Sequence, residues 1–432
     1  MKKFLILLLT LMLTYSCKST LEDNNKNNKS ENISTSEQII NREKKENIKT
    51  DIADIKNIMI VEIINNLSLE EKIGQLFIIG LKDLNGYSAL HIDEYIVEFI
   101  NTYNPGGFIL FAGNFYSIEQ TYNLNNDLQR NSSIPLFIAI DEEGGLVSRF
   151  SNTETIDATH FPAAEIIGWI NDPELAYKIG RIIGSELHAL GINMNFAPVA
   201  DLNTNPLNPV IGSRSYGEDP VQTGILISSI IEGLQFENVC SVIKHFPGHG
   251  DTNNDSHHES VYVNHTMERL ETVELVPFKM GIDAGADGVM TAHIILSILG
   301  EEQVPASLSS FVLQDILRNN MNHNKLIITD AMNMDAITEY WSSGEAAKLA
   351  IKAGADIILL PFSFEEAYTA ILDAVRSGEI LEERIDESLY RILNVKYIRN
   401  ILDSNPSEIN PELIIGCTEN QQILEEISNR LN

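Results

Sequence analysis

Eight short apolar runs recur along the chain, at 76–80, 107–111, 135–140, 193–198, 240–244, 288–291, 325–329 and 356–360. They are nearly continuous rather than alternating, as expected of parallel strands covered on both faces. Longer amphipathic stretches lie between them, at 118–130, 173–190, 222–236, 272–284, 311–319 and 346–353, and these read as helices. Gly191 and Gly354 follow two of the stretches, where a left-handed cap ends a helix. Ser68-Leu69-Glu70-Glu71 has the capping-box arrangement that opens one. Repeated strand–helix alternation predicts an α/β fold, a (β/α)₈ barrel of the TIM type. An open doubly wound sheet shares the alternation, but no Gly-rich dinucleotide fingerprint follows the first strand. A last helical stretch covers 381–402, so the predicted barrel spans 56–405, with a short tail at 406–432.

The N-terminus breaks this pattern. Lys2-Lys3 precede an apolar run at 4–13, which ends in Ser16-Cys17. Such a run is too short for a comfortable membrane span and has the layout of an export signal. A small residue before Cys17 resembles a bacterial lipoprotein cleavage site, although Thr14 stands where such sites usually carry an aliphatic residue. An ordinary cleaved signal or an uncleaved anchor remains the alternative. Residues 18–55 are rich in Asn, Lys, Glu and Ser and bury too little apolar area to fold alone, so they read as a flexible tether. The expectation is a monomeric, exported, envelope-attached lipoprotein that meets the membrane only through a lipid on Cys17.

Composition narrows the partners. The formal net charge of the 432 residues is −31, which argues against nucleic acid, whose phosphates need clustered Lys and Arg. Three cysteines, Cys17, Cys240 and Cys417, make neither a disulfide framework nor a metal knuckle.

Candidate chemistry sits where the apolar runs stop. The third run ends at Asp141, the fourth leads to Asp201, the fifth ends in Lys244-His245, the sixth at His293 and the seventh at Asp330. In a barrel these positions ring the C-terminal mouth, where active sites are built. A carboxylate there, as at Asp330, has the fixed direction that suits a nucleophile, although capping the next helix would use it equally well. Between 244 and 258 the chain carries His245, His249, Asp251, Asp255, His257 and His258, broken by Pro247, Gly248 and Gly250. His245 and His249 have a helical ligand spacing, but Pro-Gly between them forbids a helix, and no metal is expected there. Asp255 and His257 are two apart and share a side in an extended segment, so Asp255 is placed to orient His257 as an acid/base. A turn carboxylate beside a solvated histidine is the plainer alternative.

These residues resemble glycoside hydrolase family 3, in particular its single-barrel β-N-acetylglucosaminidases. The resemblance rests on Lys244-His245-Phe246-Pro247-Gly248-His249-Gly250-Asp251-Thr252 and the following Asp255-Ser256-His257. It is supported by Asp141-Glu142-Glu143-Gly144-Gly145 with Arg149, by Asp201 through Arg214-Ser215-Tyr216-Gly217, and by Thr329-Asp330-Ala331-Met332. It implies a retaining exo-enzyme without a cofactor. Asp330 would form the glycosyl-enzyme, and Asp255 and His257 would be the acid/base dyad. Asp141, Arg149, Arg214, Lys244 and His245 would hold the sugar, and the cations among them would make the mouth locally basic. Relatives acting on glucosides often draw a Glu from a second domain for which this chain has no room, which shifts the expected substrate to amino-sugar oligosaccharides from peptidoglycan or chitin. Phosphorolysis, β-glucoside hydrolysis and glycan binding without turnover are the alternatives. If His257 protonates the leaving oxygen, His257→Ala loses most of its rate on aryl glycosides with poor leaving groups. Equal losses on good and poor leaving groups would remove His257 from that role.

Overall fold

The computed structural model describes residues 54–86, 88–151, 153, 155–252, 261–299, 304–403 and 410–431. Cys17, the tether up to residue 53, and the Asp255–His257 pair lie outside these residues. All that follows belongs to the unit Ile60–Asn432.

Each apolar run contains a strand. In chain order these are β1 (Phe77–Gly80), β2 (Gly107–Ile109), β3 (Phe137–Ile140), β4 (Met194–Asn195), β5 (Cys240–Phe246), β7 (Gly288–Thr291), β9 (Leu326–Thr329) and β10 (Ile358–Leu359). A separate parallel pair is formed by β6 (Val261–Val263) and β8 (Ile294–Leu296). The eight pair in parallel in the order β10-β1-β2-β3-β4-β5-β7-β9. The two ends of that order meet at a parallel bridge between Ile328 and Ile357, which closes the sheet into a barrel. Most strands are shorter than their apolar runs because burial extends past the hydrogen-bonded ladder. Leu110 and Leu136, for instance, flank β2 and β3 with no exposed surface.

The predicted helical stretches are occupied, further helices lie at Glu94–Tyr103, Ala164–Ile170 and Phe364–Arg376, and other segments depart from the pattern. The stretch at 272–284 is two helices, Met267–Thr272 and Leu275–Asp283, broken at Val273, where φ is −130° and ψ −78°. Pro277 falls in the first turn of the second helix, where its missing N–H costs nothing. Phe311–Asn320 is a π-helix, closed by a bond from the Met321 amide to the Ile316 carbonyl at 2.9 Å. The tail contains a helix, Thr418–Leu431, that buries Ile423 and Ile427. Asn420 donates to Glu186 at 3.0 Å, tying that tail to the helix Pro173–Ala189.

Two buried carboxylates hold the end of the barrel where strands begin. Asp287 receives Arg399 at 2.8 Å and Lys325 at 3.0 Å. Asp356, fully buried just before β10, receives Arg318, Arg391 at 3.1 Å, Ser388 at 2.8 Å and the Ile327 amide at 2.9 Å. Burial opposes the charge of Asp356, but Arg318, Arg391 and Arg384 overcome it and hold the carboxyl below its usual range. These contacts pin the helix Glu382–Ile398 across the barrel floor. Asp356→Asn, which strands the arginines, should cost about 3–5 kcal/mol. The shift of the denaturant midpoint measures it, and an unmoved midpoint would mean that the arginines find water instead.

Candidate active site

The opposite end carries the candidate chemistry. β3 delivers Asp141, Glu142 and Glu143, after which the chain reverses through Gly144 and Gly145, with φ of +86° and +56°. A side chain at Gly145 would come within 2.7 Å of the Ala163 backbone, so the turn needs glycine there. The Glu143 amide donates to the Val147 carbonyl at 2.9 Å, and the reversal returns Arg149 to Asp141.

Lys244, near the end of β5, has a side chain only 2% exposed, and its ammonium sits between Asp141 at 2.8 Å and Glu143 at 2.6 Å. Arg149 takes the other Asp141 oxygen at 2.8 Å. Arg214 forks onto Glu143 with bonds of 2.9 and 2.8 Å. Three cations therefore meet two carboxylates, and this row taken by itself carries one net positive charge. The cations hold Glu143 down at about 2 against the burial that would raise it, and Asp141 is lowered in the same way.

His245 faces this row. Its Nδ1 lies 2.6 Å from Asp201, which also accepts the His245 amide at 3.0 Å and the His249 amide at 2.7 Å. Burial opposes the charge on Asp201, but His245 beside it and the His249 amide keep its carboxyl below the usual range. A charged carboxylate only accepts, so Nδ1 of His245 carries the proton and Nε2 faces Arg214 at 3.4 Å. The loop beyond is held by Asn208, which donates to the His249 carbonyl at 2.8 Å and the Gly250 carbonyl at 3.1 Å. A side chain at Gly250 would strike the Leu202 carbonyl at 1.6 Å.

Asp330 leaves β9 with its amide bonded to the Thr291 carbonyl at 2.9 Å, which locks it to the end of β7. One carboxylate oxygen accepts the Ala331 amide at 2.8 Å. His293 grips the same turn, with Nε2 at 3.0 Å from the Ala331 carbonyl and Nδ1 at 2.7 Å from the Ser307 hydroxyl. Burial opposes the charge on Asp330, but His245, His293, the Ala331 amide and Lys244 lower its pKa below the ordinary carboxylate value. Asp330 is thus an oriented anion at neutral pH, the state a carboxylate nucleophile requires.

Asp141, Arg149, Arg214, Lys244, His245 and Asp330 thus converge at one mouth. Asp255 and His257 are outside the described residues. The sequence reading assigned no role to Glu143, which links Lys244 to Arg214. Its signal was a place two residues beyond Asp141, before a glycine pair. Asn195 and Asn208 were also missed, since a buried asparagine has no sequence signature. Asn195 exchanges bonds of 3.0 and 2.9 Å with the Glu142 backbone.

Glu142 is buried and accepts the Arg149 amide at 2.9 Å. Burial pushes its carboxyl up to about 7, against the hydrogen bonds from Ser148 and the Arg149 amide. The folded carboxyl keeps its proton to near that pH, whereas the unfolded one loses it near 4.5. Stability from this group is therefore full below about 4.5 and is lost as pH rises to about 7, by on the order of 3 kcal/mol. Glu142→Gln should flatten that fall in melting temperature between pH 5 and 8. Superimposable wild-type and variant profiles would place the titration elsewhere.

Comparison with known proteins identifies the family. Residues 68–395 match the model of the glycosyl hydrolase family 3 N terminal domain. Beta-hexosaminidase A of Pseudoalteromonas piscicida is 35% identical over 327 residues, covering 69% of this chain and 54% of that protein. The chain therefore spans about half the length of that relative. A family 3 β-N-acetylglucosaminidase structure from Paenibacillus superposes with a TM-score of 0.77 at 39% identity, over 84% of this chain and 69% of the other. The β-glucoside phosphorylase BglX superposes with a TM-score of 0.77 at 26% identity, over 87% and 66%. The chain belongs to glycoside hydrolase family 3.

Proposed function

We propose that this protein is a retaining exo-β-N-acetylhexosaminidase that releases terminal β-linked N-acetylglucosamine from amino-sugar oligosaccharides. The observation that carries the reading is the lowered, backbone-oriented carboxylate of Asp330 beside the Asp141–Lys244–Glu143 row. Support also comes from the family relatives named for hexosaminidase and β-N-acetylglucosaminidase activity. In this reading Asp141, Arg149 and Lys244 hold sugar hydroxyls, while Arg214 and His245 lie beside the N-acetyl group. Asp330 attacks the anomeric carbon as the glycosidic bond breaks, giving a glycosyl-aspartate. His257, oriented by Asp255, donates its proton to the leaving oxygen. In the second half it takes a proton from water, which attacks the same carbon and frees Asp330.

Asp330→Ala should abolish turnover of an aryl β-N-acetylglucosaminide while leaving the fold intact, a loss on the order of 10⁴-fold or more. Substantial residual hydrolysis would remove Asp330 from the role. A panel of β-N-acetylglucosaminide, β-glucoside and β-xyloside separates the substrate classes, and a faster rate on the glucoside would replace the proposed one. The likeness to a phosphorylase gives a second acceptor to test. In excess phosphate, free sugar as the main product supports hydrolysis, and sugar 1-phosphate would make the enzyme a phosphorylase. Lys2-Lys3, the apolar run at 4–13 and Ser16-Cys17 support export and lipid attachment at Cys17. Peptidoglycan fragments or chitin-derived oligosaccharides outside the cytoplasm are then the substrates within reach.

A further inference from the structure

A second convergence of side chains shares no residue with the row just described. Asp251 lies in the loop after β5, His265 between β6 and the helix Met267–Thr272, and Glu274 immediately before the helix Leu275–Asp283. His265 Nε2 is 3.2 Å from an Asp251 oxygen and 3.7 Å from a Glu274 oxygen. One ligand atom from each residue falls within 4.8 Å of the other two. Donors bound to a tetrahedral zinc at about 2.0–2.1 Å are spaced by roughly 3.3 Å, close to the 3.2 and 3.7 Å that separate His265 from the two carboxylates.

Plain ion pairing would aim the imidazole N–H along one carboxylate. Nε2 of His265 is instead buried and makes no hydrogen bond, although two carboxylates stand beside it. An imidazole nitrogen without a hydrogen bond, beside oxygens of two carboxylates, offers the mixed nitrogen and oxygen donors that a metal site uses. Arg269 is the competing cation, at 2.8 Å from the same Glu274 oxygen. Its side chain is 39% exposed and it also reaches the second Glu274 oxygen, at 3.3 Å. The oxygen facing His265 also accepts Arg269 Nε at 2.9 Å, so an ion must draw it from Arg269, which then keeps the second oxygen. Two carboxylates and one arginine leave one net negative charge, which a divalent cation reverses.

We propose that Asp251, His265 and Glu274 form a binding site for a divalent transition-metal ion, zinc in the first place, with a fourth position for water. The loop histidines His245 and His249, at which the sequence gives no reason to expect a metal, take no part. Asp251 precedes and His265 follows the stretch 253–260 that contains Asp255 and His257. Glu274 also supports the preceding turn, since a side chain at Gly248 would lie 3.0 Å from its Cβ. The ion therefore cross-links the chain on both sides of the proposed acid/base residues to one helix start.

The full chain, stripped with a chelator and titrated with zinc in a calorimeter, should bind one equivalent. Its melting temperature should rise by on the order of a few degrees. His265→Gln and Glu274→Gln should each weaken zinc at least tenfold. His265→Cys, which restores a ligand atom, should retain it, and His257→Ala should leave the affinity unchanged. No zinc bound at about 100 Kd of an ordinary protein site, undiminished binding in His265→Gln, or loss of the equivalent in His257→Ala each overturns the proposal. Should His265→Gln not fold, His265→Cys decides: retained zinc supports the site and lost zinc overturns it. Binding is read without substrate, so its failure is separate from any failure of the hydrolysis reading.

Discussion

The ammonium of Lys244 is the constraint on which the mouth of this barrel depends. A lysine with 2% of its side chain exposed has lost its water, and it is stable only because two carboxylates replace that water at 2.8 and 2.6 Å. Those carboxylates come from one short stretch after β3, two residues apart, so the pairing fixes the end of β3 against the end of β5. Each carboxylate then needs a second partner, and Arg149 and Arg214 are drawn in from separate loops. The row Arg149–Asp141–Lys244–Glu143–Arg214 is therefore one electrostatic unit, and altering any member leaves a buried charge unmatched.

The surplus positive charge of that unit bears on Asp330. Lys244 and His245 both favour its ionised form although neither is its hydrogen-bond partner. The orientation of the carboxylate comes from elsewhere, from the Thr291 carbonyl, the Ala331 amide and the grip of His293. Charge state and direction are thus set by different neighbours. His245 and the amide of His249 are both held through Asp201.

Both ends of the barrel bury carboxylates among cations, but to different effect. Asp356 and Asp287 at the floor are enclosed by arginine, lysine, serine and backbone donors that hold the C-terminal helix in place. At the mouth the equivalent polar groups stand on loops and strand ends, with Asp141, Arg149 and Arg214 partly exposed around the buried Lys244. A barrel separates these tasks because its strands are parallel, so one end collects every strand's start and the other every strand's finish.

The strands were readable from sequence because doubly covered parallel strands are continuous apolar runs, and all eight lie where the pattern puts them. The position of Asp330 at a strand end was readable for the same reason. Helix breaks were less legible. Val273 has no special conformational signature, and the division of 267–283 into two helices is a packing outcome. Nor does periodicity distinguish the π-helix at Phe311–Asn320 from an α-helix. What only the tertiary structure decided is which polar groups meet. Glu143 lies 71 residues from Arg214, and Asp141 lies 103 from Lys244. Asp251, His265 and Glu274 likewise come together without any sequence spacing that announces them. The sequence by itself determined where each strand runs and which residues stand at its end, because burial acts on each segment alone. Pairing among those residues depends on barrel closure and charge balance, which act between segments far apart in the chain.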